Sequence, residues 1–118
     1  MKRGLFSDDV IRLVKSVERE FELFRLKMLS KSGEEIFEEC NKIHFYSCMH
    51  EYFLYKEDMD KEHIEACLKC ENIIAALYRL YMKHEYLYCS RWEDIEEILN
   101  VLVYDQKEMV GSMVYRNE

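Results

Sequence analysis

Between Ser7 and about Leu29, Val10, Val14, Val17, Phe21, Phe24 and Met28 recur every three or four residues, the spacing that gathers side chains on one side of an α-helix. A helix of that length spans roughly 33 Å and exposes an apolar stripe that must be covered. Ser7 is placed to cap it, and Asp8 and Asp9 fall at the positive end of its dipole. Arg12, Lys15, Glu18, Arg19, Glu22 and Lys27 make a mixed, solvated outer face. Leu13, Leu23 and Leu26 lie off the stripe, so cover on more than one side is expected.

The covering elements are expected to be helices too. The chain has no proline and only three glycines, too few for the turns of an all-β fold, while 49% hydrophobic and 14% aromatic residues suffice for one core. The spacing predicts an all-α domain, a single small bundle of about five helices packed around the N-terminal one. It would occupy residues 7–104, with a flexible lead over residues 1–6.

Ser32 and Glu35 have the spacing of a capping box. They open a second helix from about Gly33 to about Tyr55, along which Ile36, Phe37, Cys40, Ile43, His44, Cys48, Tyr52 and Tyr55 follow helical spacing. The charged run 56–60 reads as a loop with Asp60 as the next cap. A third helix over about Lys61–Cys70 turns Ile64, Cys67 and Leu68 inward. Ile73, Ile74, Leu77, Leu80 and Tyr81 mark a fourth, ending near Tyr88. Ser90 and Glu93 suggest a second capping box before Trp92, Ile95, Ile98, Leu99, Leu102 and Val103. Over residues 105–118 the pattern weakens, and Met109, Val110, Met113, Val114 and Tyr115 form either a further helical turn or an apolar tail.

Twenty-four acidic against 17 basic residues give a net charge of -7, which disfavours direct binding to nucleic acid or to an anionic membrane and favours a protein partner with a basic surface. Neither a signal-peptide apolar region nor a run of transmembrane length is present, and five cysteines make an odd, poor disulfide framework. A cytoplasmic protein with reduced thiols is the expectation.

In order along the chain, EREFELFRLKMLSKSGEEIFEEC, KEDMDKEHIEACL and LYRLYMKHEYLYCSRWEDIEEIL resemble an uncharacterised family of small acidic helical domains encoded on mobile elements of gut bacteria. The resemblance covers about residues 17 to 100. Ala66-Cys67-Leu68 stands at the family's small-apolar patch, whereas the additional cysteines and the segment after Tyr104 depart from it. The resemblance carries over no site residues. It implies a mobile-element setting, and hence an inhibitor of a host nucleic-acid-processing defence protein, of anti-CRISPR or anti-restriction type.

Two sets of residues could carry function. Glu34, Glu35, Glu38 and Glu39 head the second helix, and Glu93, Asp94, Glu96 and Glu97 head the last. Side by side, those ends would offer the spaced negative charges that a nucleic-acid-binding groove accepts in place of phosphates. Tyr46, Tyr55, Tyr86 and Tyr88 read as exposed contact residues, of which Tyr46 and Tyr86 join the acidic set.

The alternative rests on Cys40-x-x-x-His44 and Cys67-x-x-Cys70. Each pair places two ligands on one helix face, and two such faces could surround zinc. Against that stands the habit of free cysteine to fill cores. His50, His63 and His84 read as surface positions. No phosphate loop, dinucleotide fingerprint, zinc-protease motif or calcium loop is present. The leading expectation is therefore a non-enzymatic protein-binding module without a cofactor, and the alternatives are a zinc- or thiol-dependent regulator or a homo-oligomeric structural module using the C-terminal residues.

Overall fold

The computed structural model describes the backbone of residues 8–117 and the side chains of residues 8–108. Six helices follow one another: α1 (Asp8–Leu29), α2 (Gly33–Glu38), α3 (Cys40–Tyr55), α4 (Lys61–Leu68), α5 (Ile73–Lys83) and α6 (Trp92–Asn117). The fold is the expected all-α bundle with a long N-terminal helix, with six helices instead of about five. Ser7 and the lead over residues 1–6 lie outside the described residues. Among the described residues, no helix is long and apolar enough to cross a membrane.

The extra helix arises at Glu39. Ser32 and Glu35 form the expected capping box, Glu35 N–H to Ser32 Oγ at 3.2 Å and Ser32 N–H to Glu35 Oε1 at 2.9 Å. The helix they start lasts only to Glu38. Glu39 has φ -97° and ψ 12°, outside the α basin, and its N–H is shared between the carbonyls of Glu35 and Ile36. That one residue re-phases everything after it. Phe45, Tyr46, Met49, Tyr52 and Phe53 are buried after the break and Tyr55 (66% exposed) faces solvent, as does Phe37 (77%) ahead of it, which helical spacing places with the core residues.

α1 and α3 run antiparallel. The Phe21 ring stacks on His50 at 4.1 Å and that of Phe24 on Tyr46 at 4.0 Å, so advancing along α1 means retreating along α3. His50 thereby lies against an apolar ring and is half-buried, not the surface position expected. Leu13 and Val17 of α1 join Phe45, Met49, Tyr52, Ile74, Leu77, Ile98 and Leu99 in one core. Full burial of each such side chain stabilises by about 1.5–3 kcal/mol.

α5 starts without a local cap, since Asn72 makes no side-chain bond to its first turn. Its free amides are taken instead by Glu20 of α1, which accepts from Ile74 N at 2.9 Å and Ala75 N at 2.8 Å. A carboxylate fits there because the helix N-terminus carries partial positive charge. This contact ties α1 to α5 across more than 50 residues of sequence.

α4 docks on α6 through polar contacts. His63 Nε2 meets Asn100 Oδ1 at 2.7 Å, and Gln106 Nε2 donates to the Ala66 carbonyl at 2.8 Å. His63 is only 5% exposed, contrary to its reading as a surface residue, because the Asn100 amide gives its ring a partner inside the seam.

Two boundaries also differ from expectation. α5 stops at Lys83, where His84 adopts extended angles, so residues 84–91 form an irregular link instead of continuing to Tyr88. α6 begins one residue later than the Ser90 capping box would place it, since Asp94, not Glu93, reaches back to the Arg91 amide at 3.2 Å. The backbone then stays helical to Asn117, the helical one of the two alternatives for residues 105–118.

Candidate metal centre

The zinc set expected from the sequence is not brought together. Cys40 is exposed near the start of α3 and Cys67 is fully buried on α4. Cys70 is half-buried just beyond α4, its thiol directed to the Ala66 carbonyl at 3.6 Å. Cys67 is a core filler, its thiol pushed above the ordinary cysteine range by burial and then by neighbouring Cys70.

One member of that set, His44, belongs to a different cluster. His44 and Cys48 are four residues apart on α3, which puts them on one face a turn apart, with Nε2 and Sγ 3.5 Å from each other. Cys89, from the 84–91 link, completes the group, and the three donor atoms all lie within 4.8 Å of one another. The link approaches α3 because its side chains alternate. Leu87 and Cys89 are buried at 5% and 3% exposure, while Tyr86 and Tyr88 point outward at 62% and 65%.

The spacing suits a small tetrahedral cation. Ligand atoms about 2.1 Å (nitrogen) and about 2.3 Å (sulfur) from zinc stand roughly 3.6 Å apart at tetrahedral angles. His44 and Cys48 are already at that separation, and Cys89 needs to move by no more than about 1 Å. His44 is exposed, Cys48 half-buried and Cys89 buried, so the group opens to solvent on the His44 side. Three protein ligands leave a fourth coordination position for an outside donor.

The surroundings hold both thiols in their neutral form when no metal is bound. Burial pushes the Cys48 thiol up to about 11, and the neighbouring Cys89 and the Glu51 carboxylate add to that. Cys89 is raised as well, first by burial and also by Asp94, although hydrogen bonds from Tyr81 and Cys48 pull the other way. Without a metal both groups are neutral thiols at pH 7. A bound cation would reverse this by stabilising the thiolates directly.

The acidic residues are arranged differently from the expectation. Glu34, Glu35 and Glu38 are exposed on α2, and Glu39 is half-buried at the α2–α3 break. Glu96 of α6 lies at the other end of α3, accepting from Tyr52 Oη at 3.4 Å and pairing with Lys56 Nζ at 3.2 Å. Cys40 and Tyr52 are about 18 Å apart along the helix, so the two acidic heads are not side by side. Asp94 pairs with Arg91 at 3.5 Å, while Glu93 and Glu97 are exposed. Tyr46, expected on the surface, is 6% exposed because the Phe24 ring covers it. Tyr86 is exposed as expected, its ring edge-on to His84 at 5.6 Å.

His44 was within reach of sequence reasoning, and Cys48 shares its helix face. Cys89 was not, because nothing local links it to α3. Compared with known protein families, with curated proteins and with solved structures, the chain has no match in any of the three.

Proposed function

We propose that this protein is a non-enzymatic, zinc-dependent helical regulator whose metal is held by His44, Cys48 and Cys89. The observation that carries the reading is the convergence of an imidazole and two thiols, from a helix and a distant link, within 4.8 Å. Soft sulfur with imidazole selects zinc or another thiophilic ion over magnesium or calcium, which prefer oxygen. The metal would tie the 84–91 link to α3, and its state would set how firmly the link is held.

The alternative of an acidic inhibitor from a mobile element, directed at a nucleic-acid-processing defence protein, has less support. Its two acidic heads are separated along α3, Asp94 and Glu96 already have basic partners, and Tyr46 is covered.

The test is metal analysis of protein purified without chelator, followed by titration with cobalt as a coloured substitute for zinc. One equivalent per chain with thiolate-to-cobalt absorption is expected, lost in His44→Ala, Cys48→Ser and Cys89→Ser and kept in Cys40→Ser and Cys67→Ser. A folded protein that takes up no metal, or one whose binding survives Cys48→Ser and Cys89→Ser, refutes the assignment.

A further inference from the structure

The outer side of α1 carries three uncovered leucines among its exposed charges. Leu23, Leu26 and Leu29 are 62%, 51% and 64% exposed. At about 100° per residue their mean direction is roughly opposite that of Val17, Phe21, Phe24 and Met28, which face the core. Successive leucines are three residues apart and so are neighbours on the helix surface. Phe37, 77% exposed on α2, adds a large ring at the same end of the molecule, just after the α1–α2 link. A helix apolar on two opposite sides is normally covered on both.

We infer that this face is an interface between two copies of the chain, packed about a two-fold axis through the C-terminal half of α1. Area supports a second copy. At these exposures the four side chains offer roughly 450 Å² per subunit, within the range of the largest apolar patches of monomers, which are often functional. Doubled, and extended by the alkyl stems of Arg19, Arg25 and Lys27, the contact reaches about 1,200 Å², the lower end of specific interfaces. An isologous contact needs only this one patch on each subunit.

Charge supports the same occupant. α1 carries five acidic residues (Asp8, Asp9, Glu18, Glu20, Glu22) and five basic ones (Arg12, Lys15, Arg19, Arg25, Lys27), so it is neutral in a chain of net charge -7. Two copies approaching through α1 meet on a neutral helix instead of opposing acidic surfaces. Glu22 and Arg25, already paired at 2.8 Å, flank the leucines without presenting unbalanced charge.

Sedimentation equilibrium of the full chain over a wide concentration range, with reducing agent present and chelator absent, tests this independently of the metal reading. A reversible monomer–dimer equilibrium is expected. Leu26→Glu and Leu23→Glu should each raise the dissociation constant roughly 100-fold, since an isologous interface suffers each change twice. Both positions are exposed, so helical circular dichroism should be unchanged, and Phe37→Glu provides a third variant outside α1. A strict monomer at every concentration overturns the inference, as does a dimer that none of the three substitutions weakens.

Discussion

Zinc affinity should tighten about 100-fold when the pH rises from about 7.5 to about 8.5, because each of two thiols must lose a proton to bind the metal. With the Cys48 thiol at about 11, its protonated form dominates throughout that window. Cys89 is also raised, first by burial, so it too binds mainly by releasing a proton. The sign follows: a proton released on binding makes binding stronger as pH rises, by about one decade per unit for each thiol well below its pKa. Apparent constants measured by competition with a chelator of known pH dependence would give the slope. A slope near two is expected for the wild type. A flat dependence would refute the reasoning, since no thiol would then be giving up a proton to the metal.

The remaining predictions concern the scaffold that positions this site. Glu20→Ala should destabilise the fold by about 2–4 kcal/mol in urea unfolding, because it strips two charge-assisted bonds from the otherwise uncapped start of α5, whereas Glu20→Gln, keeping one acceptor, should lose about half as much. Equal stability of Glu20→Ala and wild type would show that water caps α5 equally well. Asn100→Leu should cost about 1–3 kcal/mol by leaving the buried His63 ring without its one bonded partner, and a neutral result would mean that the ring finds another. Ser32→Ala should lower the melting temperature by about 3–5 °C through loss of the capping box that starts α2, and an unchanged melting curve would show that α2 forms without it.

The fold class was legible because helical grammar is local. The Val17–Phe21–Phe24–Met28 stripe, the Ser32–Glu35 box and the Asp60 cap all lie where periodicity and capping place them, Asp60 accepting from Glu62 N at 3.3 Å. What was not legible depends on single backbone departures. Glu39 is a good helix former, yet its non-helical angles divide the expected single helix in two, and after it Phe45, Tyr46 and Phe53 face inside. Propensity carries no sign of such a break, because tertiary packing of the aromatic rings decides it. The buried positions of His50 and His63 were hidden for the same reason. One ring is covered by Phe21 and the other held by Asn100, neighbours that only the folded chain supplies.

For the candidate site, His44 is a residue that spacing pairs with one cysteine and the folded chain brings beside another. Both Cys40 and Cys48 lie four residues from it, on successive turns of the same face, and spacing alone cannot choose between them. The choice is made by Cys89, which approaches the Cys48 end. Nothing in helical periodicity could bring it there, because the 84–91 link is the least regular part of the described chain between α1 and α6. Its attachment depends on the buried side chains of Leu87 and Cys89. The two exposed tyrosines flank these anchors, Tyr86 beside Leu87 and Tyr88 between Leu87 and Cys89. A metal on the proposed centre would thus restrain the backbone that presents Tyr86 and Tyr88, linking the occupancy of a half-buried thiol site to the aromatic surface beside it. That coupling needs no long path through the core, because the ligand and the two rings lie within four consecutive residues.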